Sequence, residues 1–411
     1  METALRYALV GTALALPLNL IAVQTGVFAV TAILAAGRVT GAWRFRHTPM
    51  DAPVAFFVLA ALVSMLATPE PITSFWGSTS FWVYLAYFPL SQALTITGLS
   101  HRLRPVLLVM VAVSTLVAFY AIAQHFFGID WFGVGRRLMW APGSHGERFK
   151  AVGFFYRHTT LAFTLALSLI VSAVLFIEDR RPAVRAGLAA AMSLALAAIF
   201  FTYVRMAWIG VFGALLTIGL FKSLRWVGGG LAGAAVVGAV AMTFSPTVFT
   251  KAASTFTAEG SSNRNFIWKR AIEMAADHPV TGIGYGNYTP MTRVYYDRID
   301  PSFIVRCHAH NMYLHLWCET GPLGLLAFVL VWVCFFGALA RWWRGQSQAG
   351  PPARTTVLAS AGAAVCILAG SAAQDLFFDG QIFFFLIYLV AAGMAVVADT
   401  GGDDAVRGAS I

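Results

Sequence analysis

The chain has 411 residues, 59% of them hydrophobic, with a mean hydropathy of +0.73. Apolar runs long enough to cross ~30 Å of hydrocarbon recur from end to end, which excludes a water-soluble globular enzyme and implies a polytopic membrane protein. The net charge of +10 is loop-bound and divided between two faces, which argues against nucleic acid, and the four cysteines (Cys307, Cys318, Cys334, Cys366) have no metal or redox spacing and imply no disulfide framework.

In chain order the apolar runs place spans at 7–20, 22–37, 52–67, 76–96, 105–127, 158–177, 184–202, 206–221, 226–244, 320–340, 356–374 and 381–398, twelve in all. The run after Arg6 continues into a second apolar stretch without a small-residue cleavage site, so it reads as a first transmembrane helix rather than a removed signal. The chain thereby divides into 1–244, with spans one to nine and a basic loop at about 128–157; 245–319, a large, partly helical hydrophilic loop carrying the site; and 320–411, with the last three spans and a short tail.

Twelve spans put both termini on one side. Connections and termini on that side carry fifteen of the 28 Lys and Arg residues, Arg38, Arg102, Arg180, Lys222 and Arg341 among them, which makes it the cytoplasmic face by the positive-inside rule. The other thirteen face outward: Arg136, Arg137, Arg148, Lys150 and Arg157 in the first long loop, Arg205 alone, and Lys251, Arg264, Lys269, Arg270, Arg293, Arg298 and Arg306 in the second. Cations kept there against the topological trend imply an anionic ligand on the outer side.

Within the large loop, residues 263–277 show a helical apolar stripe of Ile267, Ala271 and Met274, with Ser262 or Asn263 available as a cap. His278–Pro279 ends that helix, the turn-rich GIGYGNY of 282–288 follows, and a second short helix is expected over 311–319 before Gly321–Pro322 breaks it. Arg264 then falls in a first helical turn, where a guanidinium beside unpaired N–H groups favours an oxyanion; a plain surface arginine is the alternative. Arg205 stands between two apolar segments at the membrane boundary, a depth at which an ionisable residue marks function unless it snorkels to lipid headgroups. His308 and His310 offer a general base. No metal is expected, because no carboxylate or paired cysteine stands at short spacing beside the two histidines. Asp375 and Asp379, in the last outer connection, read as a solvated turn before they read as partners for His310 or an arginine.

The run from Arg264 to Tyr288, RNFIW followed by ADHPVTGIGYGNY, then HNMYLHLWCETGPLG from His310 to Gly324, resembles the signature of the O-antigen ligase and polymerase superfamily, and TYVRMAW at 202–208 is similar to its preceding motif. The resemblance is detailed over 202–324 and architectural elsewhere; Val204 stands where many members have Ser. It implies an all-α, multi-spanning glycosyltransferase of the GT-C type in the bacterial inner membrane, needing no metal or cofactor and working on the periplasmic side. The donor would be an undecaprenyl diphosphate-linked glycan and the acceptor the lipid A core oligosaccharide. By the family pattern Arg205 and Arg264 would bind the diphosphate and His310 would be the catalytic histidine. Arg136, Arg137, Arg148, Lys150 and Arg157 would hold acceptor phosphates, with His308, Asn311 and Trp268 lining the substrate site.

One dominant outer loop with a basic companion fits a ligase better than a polymerase, which more often has two comparable loops, or a protein-glycosylating member, which tends to carry a soluble C-terminal domain. A transporter or flippase for an anionic lipid-linked substrate would also use outward arginines, but it places polar groups at the bilayer midplane of repeated halves, and no such halves are seen. The expected reaction is one displacement at the anomeric carbon with inversion.

Overall fold

The computed structural model describes residues 1–68, 70–77, 81–132, 138–141, 148–223, 225–244, 258–296, 308–345 and 350–408, with backbone alone at 77, 227, 234, 237, 238, 240–244, 258–263 and 400–408. Among the described residues it is all-helical, apart from one antiparallel bridge between Trp140 and Phe149. The helices are α1 (Glu2–Ala15), α2 (Leu20–Val39), α3 (Asp51–Ala67), α4 (Pro71–Gly77), α5 (Phe81–Leu85), α6 (Tyr87–Thr97), α7 (Arg104–Phe127), α8 (His158–Glu178), α9 (Pro182–Thr202), α10 (Arg205–Phe221), α11 (Arg225–Phe244), α12 (Ala258–Asp277), α13 (Tyr288–Tyr296), α14 (Met312–Gly345), α15 (Pro351–Gly370) and α16 (Gly380–Gly408). Seven of them (α2, α7, α8, α9, α14, α15 and the 380–399 part of α16) are long and apolar enough to cross a membrane; α3 and α10 are shorter apolar helices. The chain is therefore a multi-pass membrane protein.

Proline moves two of the expected boundaries. The first span, expected at 7–20, is instead α1 at 2–15, because Pro17 cannot continue a helix; Asn19 then caps α2, its Oδ1 accepting from the N–H groups of Ile21 (2.8 Å) and Ala22 (3.2 Å). The fourth, expected as one run over 76–96, is broken into α4, α5 and α6. Pro89 removes an N–H and presses its ring toward the carbonyl four residues back, that of Leu85, where α5 ends.

The centre of the bundle is α8, every residue of which from Thr160 to Leu175 is buried, as expected of a helix apolar on all sides. It is surrounded by α7, α9, α10, α15 and α16. Helices in lipid gain little from hydrophobicity against one another, so close approach does the work. Gly210 of α10 meets α15 so closely that a Cβ would stand 2.6 Å from the Cys366 carbonyl oxygen. By contrast α2 buries one stripe only, Val23, Val30, Leu34 and Gly37, and turns the rest outward.

The helices alternate in direction and collect two distinct ends. At one, His101 meets Asp399, Arg104 and Arg181 bond Asp179, and Lys222 pairs with Glu178. At the other, the Phe149 N–H bonds His125 O (3.1 Å), Ala151 N–H bonds Phe201 O (3.0 Å) and Met312 N–H bonds Ser371 O (3.0 Å). That second end holds the candidate site.

Candidate functional site

A break in α14 builds the floor. Gly321 is left-handed (φ 64°) and Pro322 has no N–H for the Cys318 carbonyl. The turn at 282–288 supplies the missing donors: Ile283 N–H bonds Cys318 O (2.8 Å) and Gly284 N–H bonds Glu319 O (3.0 Å). Gly282 (φ 68°) allows this, since a Cβ there would stand 2.5 Å from the same carbonyls. The Glu319 side chain takes the Tyr288 N–H (3.0 Å), and Thr68 at the end of α3 donates to Ile283 O (3.0 Å) while accepting from Asn287 Nδ2 (3.1 Å). The Cys318 and Glu319 carbonyls thus find partners, Ser64 also donating to Glu319 O at 2.6 Å.

Immediately before α14, His310 adopts a left-handed conformation (φ 51°), and its backbone N–H donates to Asp375 Oδ2 at 2.6 Å. Asp375 is no solvated turn residue: its side chain is 3% exposed and lies 3.6 Å from His315 Nδ1. The other nitrogen of His315 faces Glu319 Oε1 at 3.3 Å, one helical turn on. The ring itself is stacked between Tyr288 (4.4 Å) and Phe378 (4.2 Å). Burial alone would raise the Asp375 pKa, but the hydrogen bond and charge of His315, with His308 and His310 nearby, hold it below the usual carboxylate range.

The two arginines arrive from different elements. Arg205 opens α10 two residues after Tyr203, a non-glycine residue held at φ 60° in the turn between α9 and α10. Arg264 does not occupy a first turn: α12 starts at Ala258, so Ser262 and Asn263 are helical rather than caps, and the expected free N–H groups are not beside it. What stands near Arg264 is Arg205 and Asp375. Burial lowers its pKa, Arg205 lowers it further, and Asp375 opposes both.

Of the other expected site residues, His308 is brought in beside His315 (ring centroids 5.9 Å) and lies close enough to Asp375, Arg157 and His310 to sense their charges. Burial first, then those cations, depress its pKa to about 4 against the pull of Asp375. Arg157 is exposed beside His308 and Asp379, whereas Arg148 lies over the Phe126 ring (5.3 Å) and Lys150 near His158. Trp268 donates from Nε1 to Ala309 O (3.0 Å), tying α12 to the histidine segment, and Asn311 Oδ1 caps α14 by accepting the Leu314 N–H (3.1 Å). Arg136 and Arg137 lie outside the described residues.

His315 and Glu319 did not stand out in the sequence, although their i, i+4 spacing inside HLWCE was visible. The reason given against metal does not survive folding either. Asp375 comes beside the histidines, and donor atoms of His308, His315 and Asp375 lie within 4.8 Å of one another, a spacing a metal ion could bridge. Both His315 nitrogens already face carboxylates, however, and Arg157 and Arg264 stand close by, a cationic setting that disfavours a further cation.

Residues 189–329 match the family described as "O-Antigen ligase". A stretch of 85 residues is 32% identical to the "Exopolysaccharide production protein ExoQ" of Rhizobium meliloti (strain 1021), covering 20% of this chain and 20% of that protein. The matched segment holds Arg205, Arg264, His308, His310, His315 and Glu319, all contributors to the end of the bundle just described, and the chain is accordingly a multi-pass membrane protein whose segment 189–329 is similar to the O-antigen ligase family.

Proposed function

We propose that the protein is a glycosyltransferase that takes a glycan from undecaprenyl diphosphate and joins it to a hydroxyl of the lipid A core, on the periplasmic side of the bacterial inner membrane. The observation that carries this reading is the meeting of Arg205, Arg264 and the Asp375-held His310 at one end of an apolar bundle, reached from three separate elements. We read the expected twelve spans and the GT-C type as part of the same proposal. In the mechanism the acceptor oxygen attacks the anomeric carbon, the bond from that carbon to the diphosphate oxygen breaks, and the acceptor proton passes to His310. Two guanidiniums would take up the charge developing on the leaving diphosphate, each able to meet two phosphate oxygens at once. A single displacement inverts the anomeric centre. Arg157, beside His308, would hold a phosphate of the acceptor.

The test is the product made by purified protein given undecaprenyl-linked glycan with and without lipid A core. Glycan-bearing core is expected. Longer undecaprenyl-linked chains alone would make the protein a polymerase. Absence of any covalent product would favour a transporter or flippase. Activity is expected to persist in excess EDTA; loss restored by Mg²⁺ or Mn²⁺ would assign His308, His315 and Asp375 to a cation and overturn the metal-free mechanism.

A further inference from the structure

The end of the bundle opposite the site carries a second built feature. Between α8, α9, α10 and α11 lies a cavity of about 320 Å³, lined among others by Leu169, Phe176, Met192, Leu215, Trp226 and Gly230. It runs from Ile177 to Leu169 along α8, eight residues or ~12 Å at the helical rise, inward from that end. Its lining side chains are apolar apart from Ser193, whose hydroxyl donates to Ala189 O (3.0 Å), and the indole N–H of Trp226. Gly229 and Gly233 also line it, and a Cβ on either would meet no atom within 4 Å: their missing side chains leave the space open.

The mouth is cationic. Arg185 lies over the Phe176 ring (4.4 Å) and Arg225 over the Trp226 ring (5.6 Å), and the two rings meet edge to face at 6.2 Å. Lys222 is neutralised by Glu178. Neither Arg185 nor Arg225 has a carboxylate within ion-pair distance among the described residues, and the Nε of Arg185 is buried without a hydrogen-bond partner. An apolar slot one chain wide, entered beneath two aromatic-backed guanidiniums, matches a ligand with a long hydrocarbon tail and an anionic head.

We infer that this cavity binds an anionic glycerophospholipid from the leaflet at the Arg185–Arg225 end, one acyl chain between α8 and α11 and the phosphate between the two arginines. The donor lipid is a different molecule at the other end: Arg185 lies in the first turn of α9 and Arg205 just past its end, ~26 Å of helical rise away. The inference therefore stands independently of the transfer reaction.

The experiment is native mass spectrometry of the purified full chain with added phosphatidylglycerol, phosphatidylethanolamine of the same acyl composition, or a polyprenyl phosphate. Wild type is expected to hold one phosphatidylglycerol in preference to phosphatidylethanolamine. Arg185→Ala with Arg225→Ala should weaken that adduct about 30-fold, each cation near a headgroup contributing on the order of a fewfold. Gly229→Leu, which fills the slot, should remove it, while Arg44→Ala at another part of the chain should leave it intact. Equal retention of the two phospholipids, an unchanged adduct in the double arginine variant, or displacement of phosphatidylglycerol by equimolar polyprenyl phosphate would each overturn the inference. The arginine variant carries the test should Gly229→Leu fail to fold, because its changes remove side chains at the mouth and add none to the interior.

Discussion

A guanidinium beside a second guanidinium is costly unless an anion comes between them. Arg264 is already loosened from its proton by burial and by Arg205, and Asp375 compensates only in part. A diphosphate would complete that set of charges. Arg205→Lys and Arg264→Lys should therefore recover little activity, because an ammonium keeps the charge but not the planar fork, and both binding and transfer should fall. His310→Ala should behave differently, with transfer falling ~10²- to 10⁴-fold while donor binding stays near wild type. A variant retaining more than about a tenth of the rate would remove His310 from the role of base and turn attention to His308. The latter is pushed down to about 4, so at neutral pH it is uncharged in the folded protein. Between roughly pH 6.5 and 4 the unfolded chain takes up a proton that folded His308 refuses, so stability should fall across that window as the medium is acidified. His308→Gln should flatten the loss in a series of thermal melts against pH. The sequence singles out Arg205, Arg264 and His310 because each sits in a local motif. It offers Asp375 only as a second choice behind a solvated turn, since its bond to His310 joins positions 65 apart and only the fold sets its burial.

Among the elements, the seam between the 282–288 turn and the break in α14 sets where the site lies. Gly321→Ala places a side chain against the Val280 carbonyl at a left-handed position, and Gly282→Ala meets the Cys318 carbonyl likewise. Each should cost at least ~1–2 kcal/mol from backbone conformation alone, seen as a lowered melting temperature and faster exchange of the Ile283 and Gly284 amide protons. Normal protection of those amides in Gly321→Ala would mean that the seam does not depend on this glycine. The break was readable from Gly321–Pro322, and the turn from its glycines. The start of α12 was not: Ser262 and Asn263 looked like caps, yet the helix already includes Ala258. The split of the fourth span escaped for a similar reason, since hydropathy averages over a window in which one proline counts for little.

At the scale of the molecule, hydropathy carried the all-helical, multi-pass character because the centre is apolar throughout, as α8 shows, while seven helices against twelve expected spans are long and apolar enough to cross a membrane among the described residues. Orientation rests on the distribution of charge, and the two ends differ in kind: one is tied by ion pairs around Asp179 and Glu178, the other by backbone bonds and the arginine–histidine cluster. In a cysteine-free background, Tyr156→Cys should react with a membrane-impermeant thiol reagent applied from the periplasm, and Arg180→Cys should not. Labelling of the second from outside would invert the proposed topology.

The same seam bears on how the protein is made. The donors from Ile283 and Gly284 have no partners until Cys318 and Glu319 have been synthesised, and His310 has no anchor until Asp375 follows. A nascent chain that has inserted α1 to α11 holds Arg205 but neither the floor nor His310. The site is therefore the last part of the protein to come into existence, closed like a clasp as the final helices enter the bilayer.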